Sequence, residues 1–262
     1  MAEFYESADG ARTVVLDEVD STNSEAMRRV QAGERGPLWI LAHRQLAGRG
    51  RSGRIWDSEP GNFYASFLVT LSCPPGVVHQ LSLLAGVAVV DAIRAIAREQ
   101  GKTPGPRLKW PNDVLIGEAK CVGILPESVT RPGTREMSVV LGIGINLTHT
   151  PSALDRAATC LADHGVTVTP ESMLAELMES IDDGLAIWDN GAGFPAVRAQ
   201  WLGRAGPVGE RITVNAGEGP IEGTFLDIDA QGALVMRDLT GRQRRVTYGD
   251  VTLARAPAGP RG

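Results

Sequence analysis

No stretch of this 262-residue chain reads as long and apolar enough to cross a bilayer. The longest strongly apolar run, Leu81 to Val90, is broken by Ser82 and stops at Asp91, well short of the ~20 residues a spanning helix needs. The N-terminus lacks the basic flank and apolar core of a secretory leader: Met1-Ala2-Glu3-Phe4-Tyr5-Glu6 carries acid instead, which predicts a cytoplasmic protein with no membrane partner. Cysteine is scarce. Cys73, Cys121 and Cys160 are odd in number, widely spaced and without metal-ligand pattern, so they read as reduced thiols and exclude a disulfide framework or a zinc site. Positive charge is not in excess either: the formal net charge is -5, which excludes a general nucleic-acid-binding face. There is no internal repeat and no low-complexity segment. The length suffices for a sizeable core, as one large domain or a large and a small one.

Against that acidic background, Gly48-Arg49-Gly50-Arg51-Ser52-Gly53-Arg54 puts three arginines and three glycines into one short loop. Glycine permits positive φ and close backbone approach, and guanidinium groups bind phosphate oxygens bidentately without deprotonating. The loop therefore predicts a bound anion, most simply a nucleotide phosphate. Its spacing also fits Gly-x-Gly-x-x-Gly, but a dinucleotide fingerprint needs a helix directly afterwards and an acidic residue about 20 positions on. Pro60 and Gly61 stop any helix, and Asn62 to Leu71 alternates as a strand. A merely solvated basic loop is the remaining alternative.

The surrounding pattern mixes strands and helices. Arg12 to Val19 alternates as a strand, and Asp20-Ser21-Thr22-Asn23 offers capping side chains to a helix over Glu25 to Gln31. Pro37 to His43 reads as a buried strand that delivers the chain into the glycine-arginine loop, and His79 to Gln100 as a helix packed on a sheet. Arg107 to Leu115, Cys121 to Leu125 and Met137 to Ile145 read as successive strands. Thr169 caps and Pro170 opens another helix, whose Met173, Leu174, Leu177, Met178, Ile181, Leu185 and Trp188 form a core stripe. After about Gly206 five short alternating runs separated by turns imply a small antiparallel barrel. The predicted division is an α/β catalytic domain over 1–206, a barrel over 207–255 and a disordered tail over 256–262.

Two further motifs carry chemistry. In Lys109-Trp110-Pro111-Asn112-Asp113 a lysine, an amide and a carboxylate flank a rigid Trp-Pro pair; an ordinary Asn-Asp turn is the competing reading. Lys120 precedes the apolar strand Cys121-Val122-Gly123-Ile124-Leu125, where a lone lysine would otherwise be a solvated end residue. Gly142-Ile143-Gly144-Ile145-Asn146 ends a strand with glycines and an amide, suited to reading a flat polar ring edge.

Together with Gln45 and Trp56, these segments make the chain resemble the biotin protein ligases, in order from about Val14 to Leu253. The resemblance implies a mixed-sheet catalytic domain of the biotin/lipoate ligase type and a C-terminal SH3-like barrel. It implies biotin and Mg-ATP as substrates, no tightly bound prosthetic group or resident metal, and a two-step reaction through biotinyl-5'-AMP. The expected acceptor is a lysine of the biotin carboxyl-carrier domain of acyl-CoA or pyruvate carboxylases. By the same resemblance Ser21, Thr22, Asn23, Gln45, Gly48, Arg49, Gly50, Arg51, Lys120, Gly123 and Ile124 would bind biotin. Arg49, Arg51, Arg54, Trp56, Lys109, Asn112, Lys120 and Asn146 would bind the nucleotide. Arg51, Lys109, Asp113 and Lys120 would be catalytic, Asp113 more by orienting the incoming amine than by taking its proton, since a carboxylate with a pKa near ~4 is a weak base for an ammonium near ~10. Family members that act as repressors carry a helix-turn-helix region first; here Arg12 already opens the first predicted strand, so no operator DNA is expected as a partner. A homodimer is compatible with the resemblance. Pro126 predicts an edge or bulge in its strand. Lipoate ligases and octanoyl transferases share this fold, and the transferases use a cysteine and lysine pair; Cys121 and Lys120, adjacent on a strand, should instead point to opposite faces. A catalytically silent biotin-binding protein is the other alternative.

Overall fold

The computed structural model describes residues 3–6, 12–130, 133–134, 136–150, 157–217 and 219–253; the tail predicted over 256–262 lies outside them. Strands β1 (Glu3–Glu6) and β2 (Arg12–Val19) pair antiparallel, helix α1 (Thr22–Gln31) crosses over, and β3 (Leu38–Gln45) returns parallel to β2. After the glycine-arginine loop come β4 (Phe63–Leu71), α2 (Gln80–Glu99), β5 (Pro106–Lys109), β6 (Asp113–Ile116), β7 (Ala119–Thr130) and β8 (Met137–Ile145), followed by α3 (Pro170–Trp188) and α4 (Phe194–Leu202). The eight strands form one mixed sheet in the order β1-β2-β3-β4-β8-β7-β6-β5. β2 with β3 is its one parallel pair among the described residues.

Strand alternation divides the core between the two faces of this sheet. On β3, Trp39 and Leu41 join the core that α2, α3 and α4 cover, whereas Leu38 and Ile40 join Val14, Ala26, Leu68 and Val140 under α1. With both faces covered, β3 and β4 read as nearly continuous apolar runs. The α3 stripe is core as expected, and Thr169 caps that helix by accepting the Ser172 N–H at 3.2 Å. Residues 75–99, α2 with the turn before it, are long and apolar enough to cross a membrane, contrary to the reading from the uninterrupted run; 78% of that apolar window is buried inside the fold, which makes it a core helix.

One local expectation is corrected, one is met and one helix was missed. Residues 107–115 are not one strand but a hairpin: β5 and β6 pair antiparallel, Lys109 opposite Asp113, with Trp110, Pro111 and Asn112 as the turn. The turn reading of that motif was therefore correct for its centre. β7 runs through Pro126 as the edge strand that the proline predicts: β6 covers it only as far as Gly123, and the proline ring faces the side where no strand needs an N–H. α4 was not anticipated from the sequence at all.

The C-terminal strands β9 (Arg211–Asn215), β10 (Pro220–Ile228), β11 (Leu234–Asp238), β12 (Gln243–Val246) and β13 (Asp250–Leu253) form a second, wholly antiparallel sheet in the order β12-β11-β10-β9-β13. Its end strands do not pair among the described residues, so it is an open five-stranded sheet rather than a closed barrel. It docks on the first unit through the Arg107–Glu210 ion pair at 2.8 Å, the Trp201–Phe225 ring contact and Trp110, whose indole N–H donates to the Gly232 carbonyl at 3.1 Å.

Candidate active site

A cleft opens at the ends of β3, β7 and β8, between α1, the glycine-arginine loop and β13. Its first wall is the start of α1. That helix begins at Thr22, earlier than predicted, and Ser21 at its N-cap makes no capping hydrogen bond. The polar side chains are bonded across to other segments instead: the Thr22 N–H and hydroxyl donate to Gln45 Oε1 at 2.9 and 3.2 Å. Asn23 donates to the Leu125 carbonyl at 3.2 Å and to Glu127 at 2.6 Å, while its Oδ1 lies 2.7 Å from the Ser66 hydroxyl. Gly142 is what lets Asn23 lie there, since a Cβ at 142 would sit 2.3 Å from Asn23 Oδ1. Gly142→Ala is accordingly expected to push this amide off the wall and weaken binding of the substrate that the wall holds about tenfold or more, the size of a lost buried polar contact; a binding titration with unchanged affinity would refute it.

The glycine-arginine loop folds back on itself through an Arg49 to Ile55 bridge and a Gly50 N–H to Arg54 carbonyl bond of 2.7 Å. Of its glycines only Gly53 takes a positive φ, at 72°, beside Ser52 at 56°. Gly48 serves close approach: a Cβ there would lie 2.5 Å from both Ser58 Oγ and the Trp56 carbonyl. The Trp56 indole packs against Gly123 and Gly144, where a Cβ at 144 would come within 2.6 Å of the ring, and Lys120 Nζ stands 5.4 Å from its centroid.

The β5–β6 hairpin and β7 bring three charges together. Lys109 Nζ is 2.9 Å from one oxygen of Asp113 and Lys120 Nζ pairs with the other, all three side chains being largely buried. Burial alone would raise the Asp113 pKa, but the Lys120 and Lys109 ammonium groups hold it well below the usual carboxylate range. Such a carboxylate orients cations and is a poor proton acceptor. Arg51 donates to Asn112 Oδ1 at 3.3 Å and to the Gly249 carbonyl at 3.1 Å. Burial pushes its guanidinium down, opposed by Asp113 and Tyr248. Arg49 lies 3.3 Å from the Ser24 hydroxyl and 3.7 Å from Glu127.

The cleft thus gathers Ser21, Thr22, Asn23, Gln45, Arg49, Gly50, Arg51, Arg54, Trp56, Asn112, Asp113, Lys120, Gly123 and Ile124. Gly48, Lys109 and Asn146 stand behind its lining. Ile124 departs from expectation: its N–H donates to the Asn112 carbonyl at 3.0 Å and its carbonyl accepts from the Asn112 amide, so its N–H is already committed within the protein. Asn146 is 2% exposed; its amide N–H donates to the Thr159 carbonyl, and its Oδ1, like Trp56 Nε1, is buried with no hydrogen-bond partner among the described residues. Ser66, Glu127 and Asp250 were missed. Ser66 left a trace, a hydroxyl at the centre of an apolar strand; Glu127 and Asp250 left none, because surface carboxylates are common.

Comparison with known proteins agrees with this geometry along the chain. The Biotin/lipoate A/B protein ligase family matches residues 15–146, and the Biotin protein ligase C terminal domain matches residues 208–253. The chain is 37% identical over 239 residues to the biotin–[acetyl-CoA-carboxylase] ligase of Paracoccus denitrificans, covering 87% of this chain and 95% of that protein. It is 34% identical over 247 residues to the protein of the same name from Mycobacterium tuberculosis, covering 90% and 87%. The fold superimposes on the biotin protein ligase from Aquifex aeolicus in complex with biotin and ATP with a TM-score of 0.76, at 28% identity, over 93% of this chain and 99% of that one. A cleft lined by the expected loop, wall and Lys120, on a fold and sequence matched almost end to end, makes this chain a member of the biotin/lipoate A/B protein ligase family.

Proposed function

We propose that the protein attaches biotin to a lysine of the biotin carboxyl-carrier domain of a biotin-dependent carboxylase, in two ATP-dependent steps. A carboxylate oxygen of biotin attacks the α-phosphorus of Mg-ATP, the bond to the β-phosphate breaks and pyrophosphate leaves. The carrier lysine amine then attacks the acyl carbon of biotinyl-5'-AMP, AMP leaves, and the nitrogen gives up its proton. The observation that carries this reading is the convergence of Lys120, Arg51, Arg49 and Arg54 on one cleft beside a polar wall. Joining two anions and bearing charge on a transferring phosphorus requires cations fixed in advance, because such catalysis is mainly positioning and electrostatics.

The polar wall of Ser21, Thr22, Asn23 and Gln45 suits the uncharged ureido ring of biotin, which needs complementary donors and acceptors rather than salt bridges. Lys120, beside Trp56 and Gly123 in the cleft lining, would hold the biotin carboxylate and then the phosphate of the adenylate. Arg49, Arg51, Arg54 and Lys109 would serve the nucleotide phosphates, and Trp56 would meet the adenine. The buried Asn146 Oδ1, which meets no donor among the described residues, is an acceptor that the exocyclic amine of adenine would satisfy. Asp113 would orient Lys109 and Lys120 and, through them, the reacting oxygens. We assign the catalytic unit to 1–206 and the second unit to 207–255, and place the protein in the cytoplasm with the carboxylase as its partner.

Cys121 disfavours the acyl-transferase reading. Its thiol is fully buried, donates toward the Asn146 carbonyl at 3.5 Å and is pushed up to about 12 by burial, so it is neither exposed nor ionised as a nucleophile must be. The test is incubation with Mg-ATP, biotin and a biotin carboxyl-carrier domain, followed by intact mass. An ATP-dependent biotin adduct on the carrier is expected, undiminished in Cys121→Ala. No adduct, with no pyrophosphate released when biotin meets ATP, would leave a silent binding protein; an adduct only from lipoate or octanoyl donors would move the assignment within the family.

A further inference from the structure

Four consecutive residues of the second unit, Tyr248 to Val251, touch three of the cations that face the nucleotide side of the cleft. Asp250 lies 3.3 Å from Arg51 and forms an ion pair with Arg54. The Gly249 carbonyl accepts from Arg51 at 3.1 Å, and the Arg51 guanidinium stands 5.9 Å from the centre of the Tyr248 ring. The Val251 carbonyl accepts from Lys109 at 2.9 Å. Arg51 and Arg54 sit in the loop, Lys109 on β5, and the acceptors at the start of β13, close to 200 positions further along the chain from the loop. Neither arginine is rigid on its own account: the loop backbone is tied mainly to itself, and a free arginine side chain has many rotamers to lose on binding phosphate.

We infer that Asp250 is a positioning residue for the nucleotide step, the side chain by which the second unit fixes the directions of Arg51 and Arg54 before phosphate arrives. One carboxylate shared between two guanidinium groups holds them convergent and leaves further donors of each fork for a phosphate oxygen. The Gly249 and Val251 carbonyls orient Arg51 and Lys109 without adding negative charge that would repel the ligand. The inference deepens the proposed function, since it assigns this anchoring to the site described above. It also gives the second unit a role at the cleft that no motif in its sequence indicates.

The experiment uses the full chain as wild type, Asp250→Ala and Asp250→Glu. Pyrophosphate release is followed with ATP and biotin varied in turn, and the substrate-free proteins are digested briefly with trypsin, which cuts after Arg49, Arg51 and Arg54. Asp250→Ala is expected to raise the KM for ATP about tenfold, the loss expected for one charge-assisted contact, with the KM for biotin nearly unchanged. Cleavage in the loop should become faster, and Asp250→Glu should recover most of both losses. An unchanged KM for ATP, or a parallel rise in both KM values with loop cleavage unaltered, would overturn the inference, because a merely structural residue gives that pattern. If the wild type releases no pyrophosphate, the proposed function fails, and the tryptic pattern alone still decides whether Asp250 holds the loop.

Discussion

Replacing Lys120 by alanine is expected to lower the rate of biotin-dependent pyrophosphate release roughly 10²- to 10³-fold, the cost of removing one fixed electrostatic group from a transition state. Lys120 lines the cleft beside Trp56 and Gly123 and is paired with Asp113. In the proposed reaction it would meet both the biotin carboxylate and the α-phosphate. The variant leaves Asp113 with Lys109 at 2.9 Å, so the carboxylate keeps a counter-ion and the fold should survive, which circular dichroism can establish. Calorimetry should show biotin binding weakened far less than the rate falls, because the wall around Thr22 and Gln45 is untouched. A rate within tenfold of wild type would remove Lys120 from the chemistry.

Asp113→Asn should have the largest effect on stability. It leaves two buried ammonium groups facing a neutral amide, and breaking a buried pair by removing one partner costs about 3–5 kcal/mol, a fall of roughly 10 °C in Tm for a chain of this size. The sign of the pH dependence follows from the direction of the shift. The Asp113 pKa is lower in the folded state than in the unfolded chain, so its contribution is complete above the ordinary carboxylate range near ~4 and is lost as the pH falls through the range below it. Thermal unfolding of the wild type between neutral pH and about pH 3 should therefore show an acid-side decline that is shallower in Asp113→Asn. Parallel curves for the two proteins would show that the buried triad does not govern acid stability.

The elements were legible where one physical rule dominates. Period-two alternation marked β2 and the C-terminal strands, and a capping threonine followed by proline marked the start of α3. The rule failed where two signals overlapped. Across 107–115 the apolar alternation ran through Trp110 and Pro111 and hid the hairpin, although that turn is what sets Lys109 against Asp113. The polar run before α1 was read as caps because Ser, Thr and Asn are the usual cap residues; tertiary hydrogen bonds to Gln45, Ser66 and Glu127 turned those side chains elsewhere. The cluster of Arg49, Arg51, Lys109 and Lys120 was visible because each lies in a compact motif. Asp250 was invisible because nothing local distinguishes it; its meaning comes from a partner at the far end of the chain.

That separation has a consequence for the order in which the protein becomes competent. The wall and the loop are complete once β7 and β8 have joined β2, β3 and β4, since Asn23 is held by Leu125 and Glu127 and lies against Gly142. The acceptors for Arg51 and Arg54 reside at β13, and during synthesis N-terminal segments fold first. A nascent chain would therefore possess a place for biotin well before it could grip triphosphate firmly. Formation of a reactive mixed anhydride is thereby tied to the last strand, and an unfinished chain is spared from making an acylating agent it could not contain.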